Sequence, residues 1–254
     1  MRTFDQRSPT RRGKSPFHRF SFERLEDRLL LVGDVAMYND HIAGPGTHAY
    51  TTTYATVGTS SGLLRNSATG ATTPILLQTQ SAGATFETVV GSPAPGTESH
   101  TMFGGWVDFS SGPQTSISLA GSGTYTHTFS GLNPQLDYEF AGTTVRGETG
   151  YTNRWTLVTL LGADSFTPSH SPGNGIVTAG LPANQVAIWT GENHQPGQGF
   201  VVEWKDIDPG SDGTIQIRSQ QYLGLTPGVG TGSAATGPKG YGLTAVRLME
   251  LDAS

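Results

Sequence analysis

From Asp34 onward the chain runs in short stretches in which apolar and polar residues alternate. Tyr125, His127 and Phe129 alternate with Thr124, Thr126 and Thr128, and Leu136, Tyr138 and Phe140 alternate with Asp137 and Glu139. Phe200, Val202 and Trp204 interleave with Val201, Glu203 and Lys205, and Ile215 and Ile217 interleave with Thr214, Gln216 and Arg218. A period of two puts one set of side chains on each face of a strand, so these runs predict strands with one buried and one solvated face. Similar runs predict strands at 49–57, 73–79, 84–90, 101–109, 116–120, 155–161, 185–190 and 242–251. No stretch keeps a helical spacing of apolar residues over three turns. About a dozen short strands separated by turn residues point to an all-β antiparallel sandwich or barrel.

Two turns give the pattern its punctuation. In Gly131-Leu132-Asn133-Pro134-Gln135-Leu136-Asp137-Tyr138-Glu139-Phe140, the Asn-Pro pair sets a turn just before a strand begins, because proline fixes φ and lacks a donor. The Gly-Leu-x-Pro-x-x-x-Tyr-x-Phe layout resembles that of extracellular β-sandwich modules, a resemblance that implies Leu132 closing one end of the core with Tyr138 and Phe140 facing inward. The second turn, Ile207-Asp208-Pro209-Gly210-Ser211-Asp212-Gly213, reads as the loop of a hairpin between the Phe200 and Ile215 strands. The stretch 224–240 reads as a long glycine-rich loop before the last strand, and a loop of that length is functional or mobile.

Tyr138 and Phe140, Arg146, Tyr151 with Asn153-Arg154-Trp155, and Trp204 through Gly213 follow an outline that resembles an uncharacterised exported bacterial module. So does the closing run Lys239 to Leu248. That resemblance covers roughly residues 120–250 and implies a galactose-binding-like jelly roll, which is a fold and not an activity.

Composition narrows the chemistry. The 254 residues include 35 Gly and 15 Pro but no Cys, which removes disulfide frameworks, thiolate zinc sites, iron–sulfur clusters and cysteine nucleophiles. The formal charge of −5 hides two regions. Residues 1–28 hold eight basic and four acidic side chains, giving +4, and the other 226 residues hold seven basic and sixteen acidic, giving −9. An acidic body gives no reason to expect a nucleic-acid partner. Beyond the leader no apolar run approaches the ~18 residues of a membrane span.

Residues 1–33 therefore read as a basic, largely unstructured leader, and 34–254 as a single β-sandwich domain. The leader's apolar run, Leu29-Leu30-Leu31-Val32, is shorter than the ~7–15 residues of a secretory signal core. Its segment Phe22-Glu23-Arg24-Leu25-Glu26-Asp27-Arg28-Leu29-Leu30 resembles the N-terminal Leu-Glu-Pro-Arg-x-Leu-Leu-type motif of planctomycete exported and surface proteins. Phe22, Leu25, Glu26, Asp27, Arg28, Leu29 and Leu30 carry that match, which implies a secreted or cell-surface location. The other reading is an amphipathic turn of helix without a targeting role.

The body offers no convincing catalytic motif. Gly58-Thr59-Ser60-Ser61-Gly62 has the Gly-x-Ser-x-Gly spacing, but no helix is expected after it, as a nucleophile elbow requires. The histidines lack the spacing of a helical zinc site. Asp206, Asp208 and Asp212 crowd one turn, where they either hold Ca²⁺ or bond local amides. Among Trp106, Trp155, Trp189 and Trp204, the alternation places Trp204 in the core, whereas Trp189 precedes a strand-end loop with Asn193 and His194. Exposed rings stack on sugar faces, so Trp189, Asn193 and His194 are candidate ligand contacts. Arg146 and Arg154 either clamp a ligand with them or pair with Glu148 and Asp137. These residues point to a non-catalytic module for a polysaccharide or cell-surface component. A purely structural surface protein and an extracellular hydrolase remain as alternatives. The hydrolase would need two carboxylates facing each other ~5–10 Å apart.

Overall fold

The computed structural model describes residues 34–41, 44–55, 58–89, 91–109, 114–147, 150–224 and 238–252. The leader, with Phe22 and Leu25 to Leu30, lies outside the described residues, as do 225–237 of the glycine-rich stretch. The strands, in chain order, are β1 Val35–Asp40, β2 Thr59–Arg65, β3 Thr72–Ala82, β4 Thr85–Val89, β5 Gln114–Leu119, β6 Thr124–Ser130, β7 Tyr138–Thr143 and β8 Trp155–Leu161. They continue with β9 Ser165–Pro168, β10 Ile176–Val177, β11 Gln185–Trp189, β12 Val202–Asp208, β13 Thr214–Gln221, β14 Gly240–Tyr241 and β15 Ala245–Glu250. Among the described residues one short helix, α1 Glu98–Phe103, interrupts them.

The strands form three antiparallel sheets: a five-stranded sheet β1-β15-β7-β12-β9, a seven-stranded sheet β10-β11-β8-β13-β6-β3-β2, and a small sheet β14-β5-β4. The fold is an all-β sandwich. Its main core lies between the two large sheets, with Met37, Phe140, Trp204 and Leu248 from the first against Leu77, Phe129, Ile215 and Ile217 from the second. Ile117 and Leu119 of β5 pack with Tyr125 of β6 in a smaller cluster. A third cluster forms where Phe103, Val107 and Phe109 pack against Tyr38, Ala141 and Ala245 of the five-stranded sheet.

The Asn133-Pro134 turn behaves as its residues imply, carrying the chain from β6 in one large sheet to β7 in the other. Asn133 Oδ1 accepts from the Gln135 amide at 3.0 Å, and the Tyr138 hydroxyl accepts from the Asn133 amide at 2.8 Å. Leu132, 4% exposed, closes the core end, while Tyr138 and Phe140 are fully buried.

Three expectations are corrected. The Ile207–Gly213 turn is not a hairpin loop: β12 pairs with β7 and β9, β13 pairs with β6 and β8, and the turn crosses from one large sheet to the other. Alternation in both flanking runs reports only that each has a buried face. The run 101–109 starts as helix, because the Thr97 hydroxyl caps the first turn through the His100 amide and Gly104 ends it. The run 49–57 contributes a single parallel bridge, Thr52 to Asn39, and its last two residues lie outside the described set. Two backbone bonds at Thr52, from the Asp40 amide at 2.8 Å and to the Tyr38 carbonyl at 3.0 Å, and Asn39 Oδ1, which takes the Tyr54 amide at 2.8 Å, hold this β-prone stretch without a continuous ladder.

Candidate functional site

The loops that follow β7 and β11 bring the expected contact residues together, but turned inward. Trp189 is 2% exposed, pairs in register with Trp155, and donates from its indole nitrogen to the Thr152 carbonyl at 3.0 Å. It fills the core and offers no ring to a ligand. Asn193 is fully buried, and its Oδ1 accepts from the Gly199 and Phe200 amides at 3.0 and 2.7 Å. Its Nδ2 donates to Thr143 Oγ1 and to the Thr144 and Phe200 carbonyls at 3.1, 2.9 and 3.1 Å. Asn193 thus staples the loop after β11 to the end of β7. His194 is half-buried and bonds Gln195 at 2.9 Å, and burial lowers its pKa.

Arg146, 6% exposed, lays its guanidinium over Tyr151 at 4.4 Å and Tyr241 at 5.2 Å, and donates to the Tyr151 hydroxyl at 3.0 Å. Arg154 approaches the same Tyr151 ring at 5.5 Å and bonds Asn153 Oδ1 at 3.2 Å. Both arginines meet aromatic rings within the domain; Glu148 lies outside the described residues. The aspartates of the crossing turn are local caps. Asp208 accepts from the Gly210 amide at 2.8 Å, and Asp212 from the Thr214 amide at 3.1 Å. Asp206 is exposed at a positive φ of 49°, between the register shifts of β12. Among the described residues no three His, Asp or Glu side chains converge to hold a metal ion. Gly58 to Gly62 enters strand β2, not a strand–turn–helix elbow.

The aromatic group that reaches the surface is a different one. Trp155, Trp189 and Trp204 are buried, but Trp106 is only half-buried. Its ring stacks on Tyr38 at 4.7 Å with planes 4° apart, and His48 approaches it at 4.6 Å. Tyr50, 37% exposed, meets His48 edge-on at 5.2 Å. The backbone fixes this row: the Trp106 carbonyl accepts from the His48 amide at 3.1 Å and from the Thr51 hydroxyl at 2.8 Å.

Beside it lies a groove of about 350 Å³, lined in part by Gly46, Pro93, His100, Gly105 and Asp108, within the size range of small-ligand clefts. Its wall is rigid. The buried Asp108 carboxylate accepts from the Gly46 amide at 3.0 Å, and Asp40 Oδ2 accepts from the Asp108 amide at 2.8 Å and from Thr47 Oγ1 at 2.6 Å. A Cβ at Gly44 would fall 2.0 Å from Asp108 Oδ2, so that close approach requires glycine. Sequence reasoning missed Tyr50 because it sits in a run that looked like a strand, and His48 because it stands alone just before that run. Their i, i+2 spacing beside an unassigned Trp106 was the available signal.

On the same face of the five-stranded sheet, Tyr38 stands opposite Arg247, and Arg247 opposite Ala141, which faces Glu203. Arg247 Nη2 lies 3.6 Å from Glu139 Oε2 and 3.2 Å from Glu203 Oε1, so the two oxygens are separated by at most the sum, 6.8 Å. Burial raises the pKa of Glu203, opposed by the charges of Lys205 and Arg247.

No known protein family, no curated protein and no solved structure matches the chain.

Proposed function

We propose that this chain is an exported or cell-surface, non-catalytic β-sandwich module that binds carbohydrate through the Trp106 face. The observation that carries the reading is the Tyr38–Trp106–His48–Tyr50 row, which reaches the surface beside a groove of about 350 Å³. Ring faces and edges of this kind meet the C–H groups of a sugar, while a flanking polar wall orients its hydroxyls. A purely structural module gives no reason to keep Tyr50 in the open.

The hydrolase reading has one point of support, the Glu139–Glu203 pair at no more than 6.8 Å. A guanidinium, however, contacts both carboxylates, where a scissile bond would have to sit. That favours binding over cleavage.

Affinity electrophoresis against a polysaccharide panel tests the binding reading. Tyr50→Ala should abolish most of the retention while lowering the melting temperature only modestly, since the residue is 37% exposed and its ring packs on His48 at 5.2 Å. Retention on no polysaccharide by the unaltered chain would refute carbohydrate binding. The surface location rests on the leader resemblance. A reporter fused to residues 1–33 that stays in the cytoplasm of a planctomycete host would overturn it.

A further inference from the structure

The middle of the outward face of the seven-stranded sheet carries amides and hydroxyls in register, beside the exposed Leu63 and Leu76 one row away. Across the strands, Thr59 stands opposite Gln80, Gln80 opposite Thr126, Thr126 opposite Arg218, and Arg218 opposite Thr159. The next row runs Ser61, Gln78, Thr128 and Gln216. Strand geometry fixes these rows as a grid of about 4.8 Å between strands and about 6.7 Å along each strand. Sheets twist by roughly 20–25° per strand, so a rigid ligand spans only the middle of the face. That centre is β3, β6 and β13, carrying Gln78, Gln80, Thr126, Thr128, Gln216 and Arg218.

Charge makes this face unusual within the molecule. The body carries sixteen acidic residues, yet no Asp or Glu occupies an outward position on β2, β3, β6 or β13. A solvated sheet face ordinarily carries lysines and acids, which keep it from sticking to other proteins. Here Arg218 is the single charge at the centre; its Nε and the hydroxyl of Thr159, itself 2% exposed, are buried, so the groups open to a partner are those of Gln78, Gln80, Thr126, Thr128 and Gln216. Glutamine amides and threonine hydroxyls each both donate and accept, which suits a partner whose own groups do the same. An anionic partner would call for several cations, and a cationic one for acids.

We infer that this face binds a neutral, hydroxyl-rich polysaccharide chain laid across β3, β6 and β13. The inference shares with the proposed function the view that the ligand is a carbohydrate, but it places a second contact on the opposite large sheet. The partner is recognised by hydrogen bonds to successive hydroxyls instead of by ring stacking.

The test uses the full 254-residue chain in affinity electrophoresis through gels containing galactomannan, xyloglucan or dextran, with carboxylated pectin as the anionic comparison. Gln78→Ala combined with Gln216→Ala should lower affinity for the neutral chain that binds by about tenfold, the loss expected of two neutral hydrogen bonds. Gln78→Glu with Gln216→Glu should lower it at least as much, and both variants should melt with the unaltered protein. Stronger retention by pectin than by every neutral chain would overturn the inference. Loss confined to Tyr50→Ala, with both glutamine pairs neutral, would overturn it and leave the proposed function standing. Retention on no polysaccharide would overturn both. Concentration-dependent dimers that the glutamine variants dissociate would assign the face to a second copy and also overturn it.

Discussion

Acid should destabilise this domain well before its carboxylates titrate, and His127 is the reason. It sits on β6 at 1% exposure, with Tyr125 edge-on at 5.0 Å and its Nδ1 without a hydrogen-bond partner. Thr79 and Ile217 face it from the neighbouring strands. Burial, reinforced by the nearby charge of His41, pushes its pKa from 6.5 down to about 3. Because the folded value lies below the unfolded one, the unfolded chain binds the extra proton. Native stability is therefore whole above pH 6.5 and falls as the pH drops from 6.5 towards about 3. At pH 5 the unfolded state is favoured through ~1.5 pH units at about 1.4 kcal/mol each, or roughly 2 kcal/mol from this one residue. Against a typical stability of about 5–15 kcal/mol, that is a large fraction. Urea unfolding followed by tryptophan fluorescence at pH 8, 7, 6 and 5 measures it. His127→Gln should remove about 2 kcal/mol of the difference between pH 8 and pH 5. Equal pH slopes in the two proteins would refute the reasoning. Glu203 titrates in the opposite sense, since its raised pKa favours the folded state at lower pH, so the comparison between variants isolates the histidine.

The remaining predictions follow from the core and the loops. His170, whose Nδ1 accepts from the Glu203 amide at 3.0 Å, has its pKa lowered to about 4, and His170→Gln should flatten the same pH profile from its own site. Trp204→Ala, at 0% exposure, should cost about 3–5 kcal/mol in denaturant unfolding, the range for emptying a large aromatic site. Arg247→Met leaves Glu203, 6% exposed, and Glu139 beside each other without their shared cation, and should cost about 3 kcal/mol; a loss below about 1 kcal/mol would mean that solvent screens the pair. Asn193→Ala leaves the Gly199 and Phe200 amides without their acceptor, and hydrogen exchange at those two amides should accelerate by at least tenfold.

The strand content was legible because burial on one face leaves a period of two, and β8 and β6 stand where that period places them. Pairing partners were not legible. The runs around Val202 and Ile215 have the same signature whether they share a sheet or face each other across the core, and only the tertiary structure separates the two cases. Strand β1 escaped notice because Tyr38 and Asp40, on its outward face, are buried beneath the 98–109 segment, so alternation there is lost. The candidate contacts misled for a related reason. Trp189, Asn193 and Arg146 are residue types that bind ligands, but at the end of β11 and in the loops after β11 and β7 they serve the fold. Asn193 can satisfy five backbone and hydroxyl groups at once, and no pattern in one sequence reveals that those groups surround it.

The two outer faces of the sandwich are solved in different ways, and that contrast carries the most functional weight. On the five-stranded sheet the chain lays its only described helix and the Phe103–Phe109 segment over Ala141 and Ala245, and it neutralises the polar remainder with Arg247 between Glu139 and Glu203. That face is sheltered, and the row ending at Tyr50 reaches the surface at its margin. On the seven-stranded sheet β3, β6 and β13 present rows of Thr and Gln with one arginine, next to the exposed Leu63 and Leu76. In a body of charge −9, spreading acids over every solvated surface would favour solubility at little cost. Keeping them off the largest sheet is a constraint that stability does not impose, because surface Gln→Glu changes are normally worth less than about 0.5 kcal/mol. A constraint without a folding reason is most simply accounted for by contact. Folding stability of the Gln78→Glu/Gln216→Glu variant therefore decides the matter alongside its binding. If the two acids cost more than about 1 kcal/mol, the neutral face serves the fold and the contact argument fails.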